Sequence, residues 1–286
     1  MFPESMEYHI SSHIDAFIAW LNVAGEAQFA AISKGLLSMI LTVYNLLVFI
    51  PWWIWIVLVA LIYWYCRRKL VSSIILALLL MSAGIFGYWS AAMETLAVVI
   101  VAVLLAVLLG IPLGILMSQK DKVEVVLTPL LDAMQTLPSF VYLIPVLMLF
   151  GLGKVPAVLA TFIYALPPVV RLTNLGIRQV SDNLVEVGEA FGANRWQLMK
   201  EILLPLSVPS ILAGINQTTM MALAMVIVCS MIGAGGVGYD VLIAINRLEV
   251  GKGFEAGFVV VALAIIIDRL TQGIAQRWQN PGMAKE

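Results

Sequence analysis

The chain has 286 residues, of which 62% are hydrophobic and only 12% are charged, and its formal net charge is −1. A soluble domain carries roughly 25% charged residues, so this composition excludes a soluble globular protein, a disordered chain and a nucleic-acid-binding protein. It predicts an all-α, polytopic membrane protein that is embedded in the lipid bilayer.

The first 46 residues predict N-terminal amphipathic helices at the extracytoplasmic face of the membrane. Polar and apolar residues recur at helical spacing over 5–22, and four polar residues form one stripe along 29–46. The members of this polar stripe are Lys34, Ser38, Thr42 and Asn45. A helix surrounded by lipid does not carry such a stripe, so 29–46 is expected to lie in the interface, although a spanning helix packed against protein stays open.

Seven later segments are apolar and long enough to cross a bilayer core of about 30 Å. They cover residues 47–66, 70–89, 93–117, 128–150, 155–175, 205–232 and 255–272. The expected fold therefore has about seven transmembrane helices, of which the two within 47–89 are accessory, followed by a tail over 276–286.

The distribution of basic residues predicts the orientation, because cytoplasmic loops are enriched in Lys and Arg. One side of the seven-span arrangement collects twelve of the sixteen: Arg67, Arg68, Lys69, Lys120, Lys122, Arg171, Arg178, Arg195, Lys200, Arg269, Arg277 and Lys285. The other side collects Lys34, Lys154, Arg247 and Lys252. The N-terminus is therefore expected outside and the C-terminus, with the tail, in the cytoplasm; an eighth span at 29–46 changes the side of the N-terminus only.

One cytoplasmic connection, residues 176–204, is unusually long for a compact membrane protein, and long loops are typically functional. Its seven charged residues are Arg178, Asp182, Glu186, Glu189, Arg195, Lys200 and Glu201. Ser181 or Asp182 can cap one helix, Gly192 interrupts it, and a second helix begins at Arg195. The pattern predicts a helix–Gly–helix element whose apolar residues face a partner protein. The residues expected to be partly exposed are Phe191, Trp196, Leu198 and Met199.

This loop resembles the coupling loop of ABC-importer permeases, whose EAA motif is Glu-Ala-Ala, three residues, Gly, nine residues, Ile-x-Leu-Pro. Here Glu186-Val187-Gly188, Gly192 and Ile202-Leu203-Leu204-Pro205 have the same spacing. Val187 and Gly188 stand where the family usually has Ala. Residues 90–275 accordingly resemble the five-helix core of type I ABC importers.

Three further segments resemble permeases for glycine betaine, proline betaine and related choline-type osmoprotectants. They are MQTLPSFVYLIP (134–145), IGAGGVG (232–238) and IDRLTQ (267–272). The resemblance implies a non-enzymatic permease subunit of the bacterial cytoplasmic (inner) membrane, which imports a quaternary-ammonium solute.

The resemblance also implies the partners. Such permeases pair with a second copy of themselves, two ATPase subunits and an extracytoplasmic substrate-binding protein. The ATPase binds ATP and Mg²⁺, and this chain itself is expected to bind no cofactor and no metal. The implied ATPase-coupling residues are Glu186, Glu189, Ala190, Gly192, Ala193, Arg195, Trp196 and Pro205.

Two prolines interrupt the predicted fourth span, and interrupted helices in transporters often mark the transport pathway. The residues predicted to line it are Gln135, Pro138, Phe140, Tyr142 and Pro145. Asp132 and Arg171, which lie near the cytoplasmic ends of their spans, are expected to pair at the interface or to extend toward water.

The main alternative is an ABC permease for choline or an amino acid. An ion-coupled secondary transporter is less favoured, because neither an inverted repeat nor midplane carboxylates are evident. An embedded enzyme lacks a nucleophile–base constellation, and His9 with His13 lacks further metal ligands. Gly233-x-Gly-x-x-Gly238 matches a dinucleotide fingerprint, but it follows an apolar helix rather than a strand, so the glycines are expected to form a tight outer turn.

Overall fold

The computed structural model describes residues 10–279, with side chains up to residue 275, and every regular element in this range is helical. The thirteen α-helices are α1 (Ser11–Ala24), α2 (Glu26–Phe49), α3 (Trp52–Arg67), α4 (Leu70–Ile85), α5 (Trp89–Gln119), α6 (Asp121–Thr136), α7 (Leu143–Phe150), α8 (Lys154–Arg178), α9 (Asp182–Ala190), α10 (Arg195–Gln197), α11 (Leu204–Cys229), α12 (Gly236–Asn246) and α13 (Val250–Gln279). This confirms the all-α prediction. The structure does not describe 1–9 and 280–286, so His9 and most of the predicted tail lie outside the described residues.

The predicted spans correspond to helices of the structure. Five helical segments are long and apolar enough to cross a membrane, namely α2, α5, α8, α13 and the segment over Arg195–Ile232 that contains α11. The bent pair α6 and α7 makes a sixth if it is one span, and α3 and α4 are shorter apolar helices of 16 residues. Each of the seven predicted segments therefore coincides with a helix or a helix pair.

Helix α2 meets the length and hydropathy criterion for a span, although its polar stripe favoured an interfacial position. Its buried residues Ile40 and Leu47 pack into the core beside α5, and Leu36 is also buried. All four residues of the polar stripe are exposed on the surface of the chain. The stripe thus lies on the side of α2 that the rest of the described chain leaves uncovered.

Close packing of α5, α8 and α11 forms the centre of the bundle. Gly110 and Gly114 stand one turn apart on α5, and a Cβ atom on Gly114 would lie 2.6 Å from Cβ of Thr173 on α8. About one turn farther along α8, a Cβ atom on Gly176 would lie 2.6 Å from Cβ of Ser210 on α11. Small residues at these crossings allow the backbones to approach closely, as is common between membrane helices.

The fourth predicted span is not one helix. Helices α6 and α7 meet at an angle of 109°, with a 3₁₀ turn over Ser139–Tyr142 between them. The break falls at Leu137, whose extended backbone (ψ 134°) satisfies the steric demand of Pro138. Pro145, in contrast, lies in the first turn of α7 and does not interrupt it, because a helix tolerates proline there.

The bundle has two functional ends. One end carries α9, α10 and the start of α11, and we call it the coupling end. The other end carries the turn over 233–236 between α11 and α12, together with the first residues of α5 and α8, and we call it the glycine-loop end.

Candidate functional site: the coupling element

Helices α9 and α10 form the predicted helix–Gly–helix element. Helix α9 begins at Asp182 with Ser181 in the N-cap position and ends at Ala190 with Phe191 in the C-cap position. Gly192 follows in the left-handed conformation (φ +82°). Gly192 N–H donates to the Glu189 carbonyl at 2.8 Å, and Ala193 N–H donates to the Gly188 carbonyl at 3.0 Å. These two bonds are those of a Schellman C-cap, which explains why glycine stands at this position.

A capping box, which the sequence analysis did not identify, starts α10. The Asn194 side chain accepts from Gln197 N–H at 3.0 Å, and Asn194 N–H donates to Gln197 Oε1 at 2.8 Å. A π-helical turn over Leu198–Leu203 then leads into α11. Such turns are rare and are found frequently at functional sites. Pro205 lies in the first turn of α11, as predicted.

Gly188 fixes α9 on this π-helical turn. It is buried, and a Cβ atom there would lie 2.6 Å from both Leu198 Cδ2 and Ile202 Cδ1. The departure from Ala in the EAA pattern therefore has a steric reason, since larger neighbours occupy the space of the missing methyl group. The same packing corrects one prediction: Leu198 and Met199 are only 6% and 5% exposed, because they lie between α9 and α11.

The coupling element carries two large exposed aromatic residues. Phe191 is 88% exposed and Trp196 is 71% exposed, and Glu186, Glu189 and Arg195 of the same element are also exposed. We call these five residues the docking face. Exposed aromatic residues with a charged rim are typical of protein-binding sites. Of the remaining predicted coupling residues, Ala190 and Pro205 are exposed and Ala193 is half-buried.

The predicted pathway residues do not form one surface. Gln135 lines a cavity of about 420 Å³ bordered by α5, α6, α8 and α11. Pro138, Phe140 and Pro145 are exposed at and after the bend. Tyr142 is buried: its hydroxyl donates to the Met134 carbonyl, and its ring packs edge-on against Tyr164 at a centroid distance of 5.8 Å. Tyr142 thus holds the bend together.

Ion pairs connect α6 and α8 beside this cavity. Arg178 pairs with Asp121 at 2.7 Å and with Glu124 at 2.9 Å. Arg171 pairs with Asp132, as predicted for these two residues. The pairs therefore hold α6, the first helix of the bent pair, on α8.

The glycine-loop end carries a second polar cluster, which no sequence signal revealed. Glu94 on α5 accepts from Gly236 N–H at 2.8 Å and pairs with Lys154 on α8 at 2.5 Å. Thr95 Oγ1 accepts from Val237 N–H at 3.0 Å. A carboxylate at this position stabilises the N-terminus of α12 electrostatically. Burial, and secondarily the charge of Glu94, raises the pKa of Asp240 on α12, outside the five long spans.

The glycine fingerprint has the local role expected for it. The residues Gly233, Gly235 and Gly236 all have positive φ and form the tight turn between α11 and α12. A helix precedes the turn and no strand is present over residues 10–279, so the βαβ context of a dinucleotide site is missing there.

Comparison with known proteins identifies the family. Residues 106–283 match the family described as "Binding-protein-dependent transport system inner membrane component". The chain belongs to this family. It is 40% identical over 272 residues to the glycine betaine transport system permease protein OpuAB of Bacillus subtilis. The aligned region covers 95% of this chain and 96% of OpuAB.

Two further relatives have similar names. The permease is 46% identical over 203 residues to the glycine betaine/proline betaine transport system permease protein ProW of Escherichia coli, covering 71% of this chain and 57% of ProW. It is 42% identical over 233 residues to the glycine betaine/carnitine transport permease protein GbuB of Listeria monocytogenes, covering 80% of this chain and 82% of GbuB.

A solved structure supports the fold. One chain of the MetNI methionine ABC transporter in an inward-facing conformation superposes with a TM-score of 0.60, covering 67% of this chain and 95% of that chain, at 19% identity. The permease thus has the fold of a type I ABC importer. It is a multi-pass inner-membrane transport subunit and not an enzyme, and its family implies an ATPase and a binding protein as partners.

Proposed function

We propose that the permease forms the translocation pathway for a quaternary-ammonium compatible solute of the glycine betaine or proline betaine type. The observation that carries this proposal is the 40% identity to OpuAB over nearly the full length of both chains. The alternative cargoes are choline and an amino acid. A secondary transporter driven by an ion gradient is disfavoured, because the chain belongs to a binding-protein-dependent family.

The proposed assembly is a homodimer of the permease with two ATPase subunits and an extracytoplasmic binding protein. Residues 90–275 form the permease core, 47–89 form an accessory helix pair, and 1–46 form the N-terminal region. The coupling end and the tail 276–286 face the cytoplasm, as the twelve basic residues indicate. The N-terminus lies outside if α2 rests on the membrane, and inside if α2 crosses it.

The docking face transmits the motion of the ATPase. When ATP draws the two ATPase subunits together, each docking face moves with its subunit, and the attached helices rotate as rigid bodies. Gly188 links α9 to the π-helical turn, and this turn continues directly into α11. Because α11 packs closely on α8 through Gly176, we expect both helices to move together.

The test is reconstitution of the complete transporter in vesicles with ATP on the ATPase side and the binding protein on the opposite side. We expect accumulation of glycine betaine that requires both ATP and the binding protein. Uptake of choline or an amino acid without betaine uptake contradicts the proposed cargo. Betaine uptake that follows an ion gradient in the absence of ATP contradicts the proposed mechanism.

A further inference from the structure

The cavity between α5, α6, α8 and α11 carries charges of both signs. Arg171 and Glu124 line it, together with the amide side chains of Gln135, Asn174 and Gln217. Arg171 and Asn174 stand three residues apart on α8, which corresponds to about 5 Å along a helix axis. The cavity therefore has a basic end near Arg171 and an acidic end near Glu124, separated by about one helical turn.

The basic end has an unused hydrogen-bond donor. One terminal nitrogen of the Arg171 guanidinium pairs with Asp132, but its Nε atom is buried and has no acceptor among the described residues. A buried donor without a partner is uncommon in folded proteins. The Nε atom has no accessible surface and cannot itself meet a solute, but the Arg171 side chain is 33% exposed and lines the cavity. Because arginine presents its donors in a planar fork that fits a carboxylate, the accessible part of this side chain suits an additional carboxylate.

The acidic end is the carboxylate of Glu124, which shares its counter-ion. Arg178 pairs with both Asp121 and Glu124, and the Asp121 side chain is 87% exposed and lies between Lys120 and Lys122 in the sequence. Asn174 Nδ2 donates to Glu124 Oε1 at 2.9 Å and holds that carboxylate at the cavity wall. This arrangement attracts a cation without requiring hydrogen bonds from it, which suits a quaternary ammonium group.

We propose that this cavity is a transit site for small zwitterions, in which Arg171 binds the carboxylate and Glu124 faces the ammonium group. The proposal rests on the proposed function of the permease. Among the described residues that line the cavity none is aromatic, so the cation–π contacts of a tight ammonium cage are not provided there. Weak binding suits a site through which a solute must pass, since conduction requires that a bound species can leave.

The proposal makes Arg171 the residue that selects the substrate class. Glycine betaine and amino acids have a carboxylate next to a cationic nitrogen, whereas choline has a hydroxyl group instead of the carboxylate. A site built for one polar group strongly disfavours the analogue that lacks it, because the donors of the site are then left unpaired. The cavity is thus expected to accept betaines and to disfavour choline.

The test measures occupancy of the cavity by thiol labelling of the permease–ATPase complex in nanodiscs, without the binding protein. The probe is Thr128→Cys, since Thr128 lines the cavity, in a Cys66→Ser background. Glycine betaine at about ten times its dissociation constant is expected to slow labelling about tenfold, and choline at the same concentration much less. The matched control is Val126→Cys, which is exposed on α6 and outside the cavity lining, and its labelling should not change with either solute.

Substitutions of Arg171 separate binding from folding. Arg171→Gln is expected to abolish the protection of Thr128→Cys by betaine, but it also leaves the Asp132 carboxylate without its partner. The double variant Arg171→Gln, Asp132→Asn removes both charges of the pair, so it tests the loss of Arg171 without an unpaired carboxylate. Loss of protection in both variants, with the complex still assembled, supports the site. Equal protection by betaine and choline, or protection that persists without Arg171, overturns it.

The outcome also distinguishes this inference from the proposed function. If the wild-type transporter imports betaine but betaine does not protect Thr128→Cys, the transit site is wrong and the function stands. If the transporter imports an amino acid instead, and that amino acid protects in an Arg171-dependent manner, the zwitterion site stands and the proposed cargo is wrong.

Discussion

Substitutions of Gly192 can test whether the coupling element docks on the ATPase without preventing the permease from folding. Its φ of +82° disfavours any residue with a Cβ atom, at a cost of about 1–2 kcal/mol for most residues and less for Asn or Asp. Apart from its chain neighbours, no described residue has a heavy atom within 4 Å of a Cβ atom built on Gly192, so no tertiary clash adds to this cost. Gly192→Asn and Gly192→Asp should therefore fold and insert almost normally.

The aspartate should nevertheless disrupt docking. Gly192 follows directly on Phe191 in the docking face, and enclosure of an unpaired carboxylate in an interface costs several kcal/mol. A loss of about 3 kcal/mol reduces the docking constant more than 100-fold. The assays are ATP-dependent solute uptake and co-purification of the ATPase with the permease. Gly192→Asn, which has the same shape without the charge, is the matched control and should retain most of both activities. If the Asp and Asn variants couple equally well, Gly192 is not at the ATPase contact.

Three further predictions concern packing and charge. Gly188→Ala should lower the melting temperature in detergent only slightly, through about 1 kcal/mol of overpacking, because Leu198 Cδ2 and Ile202 Cδ1 are the ends of flexible side chains that can turn aside. Ile202→Val in the same variant should recover part of this loss, since the Leu198 contact remains, and Gly35→Ala, which meets open space, should cause no loss. Glu94→Gln should lower the free energy of unfolding by about 1–2 kcal/mol, because it removes the charge that stabilises the N-terminus of α12 and pairs with Lys154. Equal melting temperatures of the variant and the wild type contradict this prediction. The raised pKa of Asp240 means that its ionised form destabilises the fold, so Asp240→Asn should raise the melting temperature at neutral pH. That gain should disappear as the pH falls below the ordinary Asp pKa of 3.8, where the acid is protonated in both states, and a gain independent of pH refutes the assignment.

The membrane helices were predictable from sequence because a long apolar segment is a local property. Each of the seven segments coincides with a helix or helix pair, and the break at Pro138 follows from the steric restriction that proline places on Leu137. The angle of 109° at that break was not predictable, because it depends on distant contacts such as the packing of Tyr142 against Tyr164.

The coupling element was predictable as a pattern but not as a surface. Gly192 and the helix before it follow from local capping rules, and the structure has both. The prediction that Leu198 and Met199 are partly exposed was wrong, because their burial depends on tertiary packing such as the contact of Leu198 with Gly188. Helix α12 was missed because its N-terminus is held by Glu94, which is 142 residues away in the chain.

The central claim is that the coupling end binds the ATPase, and cross-linking tests it most directly. A photo-activated thiol reagent is attached to Phe191→Cys, or to Leu248→Cys between α12 and α13, in the complete transporter with Cys66→Ser. The two native side chains are almost equally exposed, at 88% and 86%, so they differ in location rather than accessibility. The account predicts a cross-link to the ATPase from position 191 and none from position 248. A cross-link to the ATPase from position 248 without one from position 191 contradicts it.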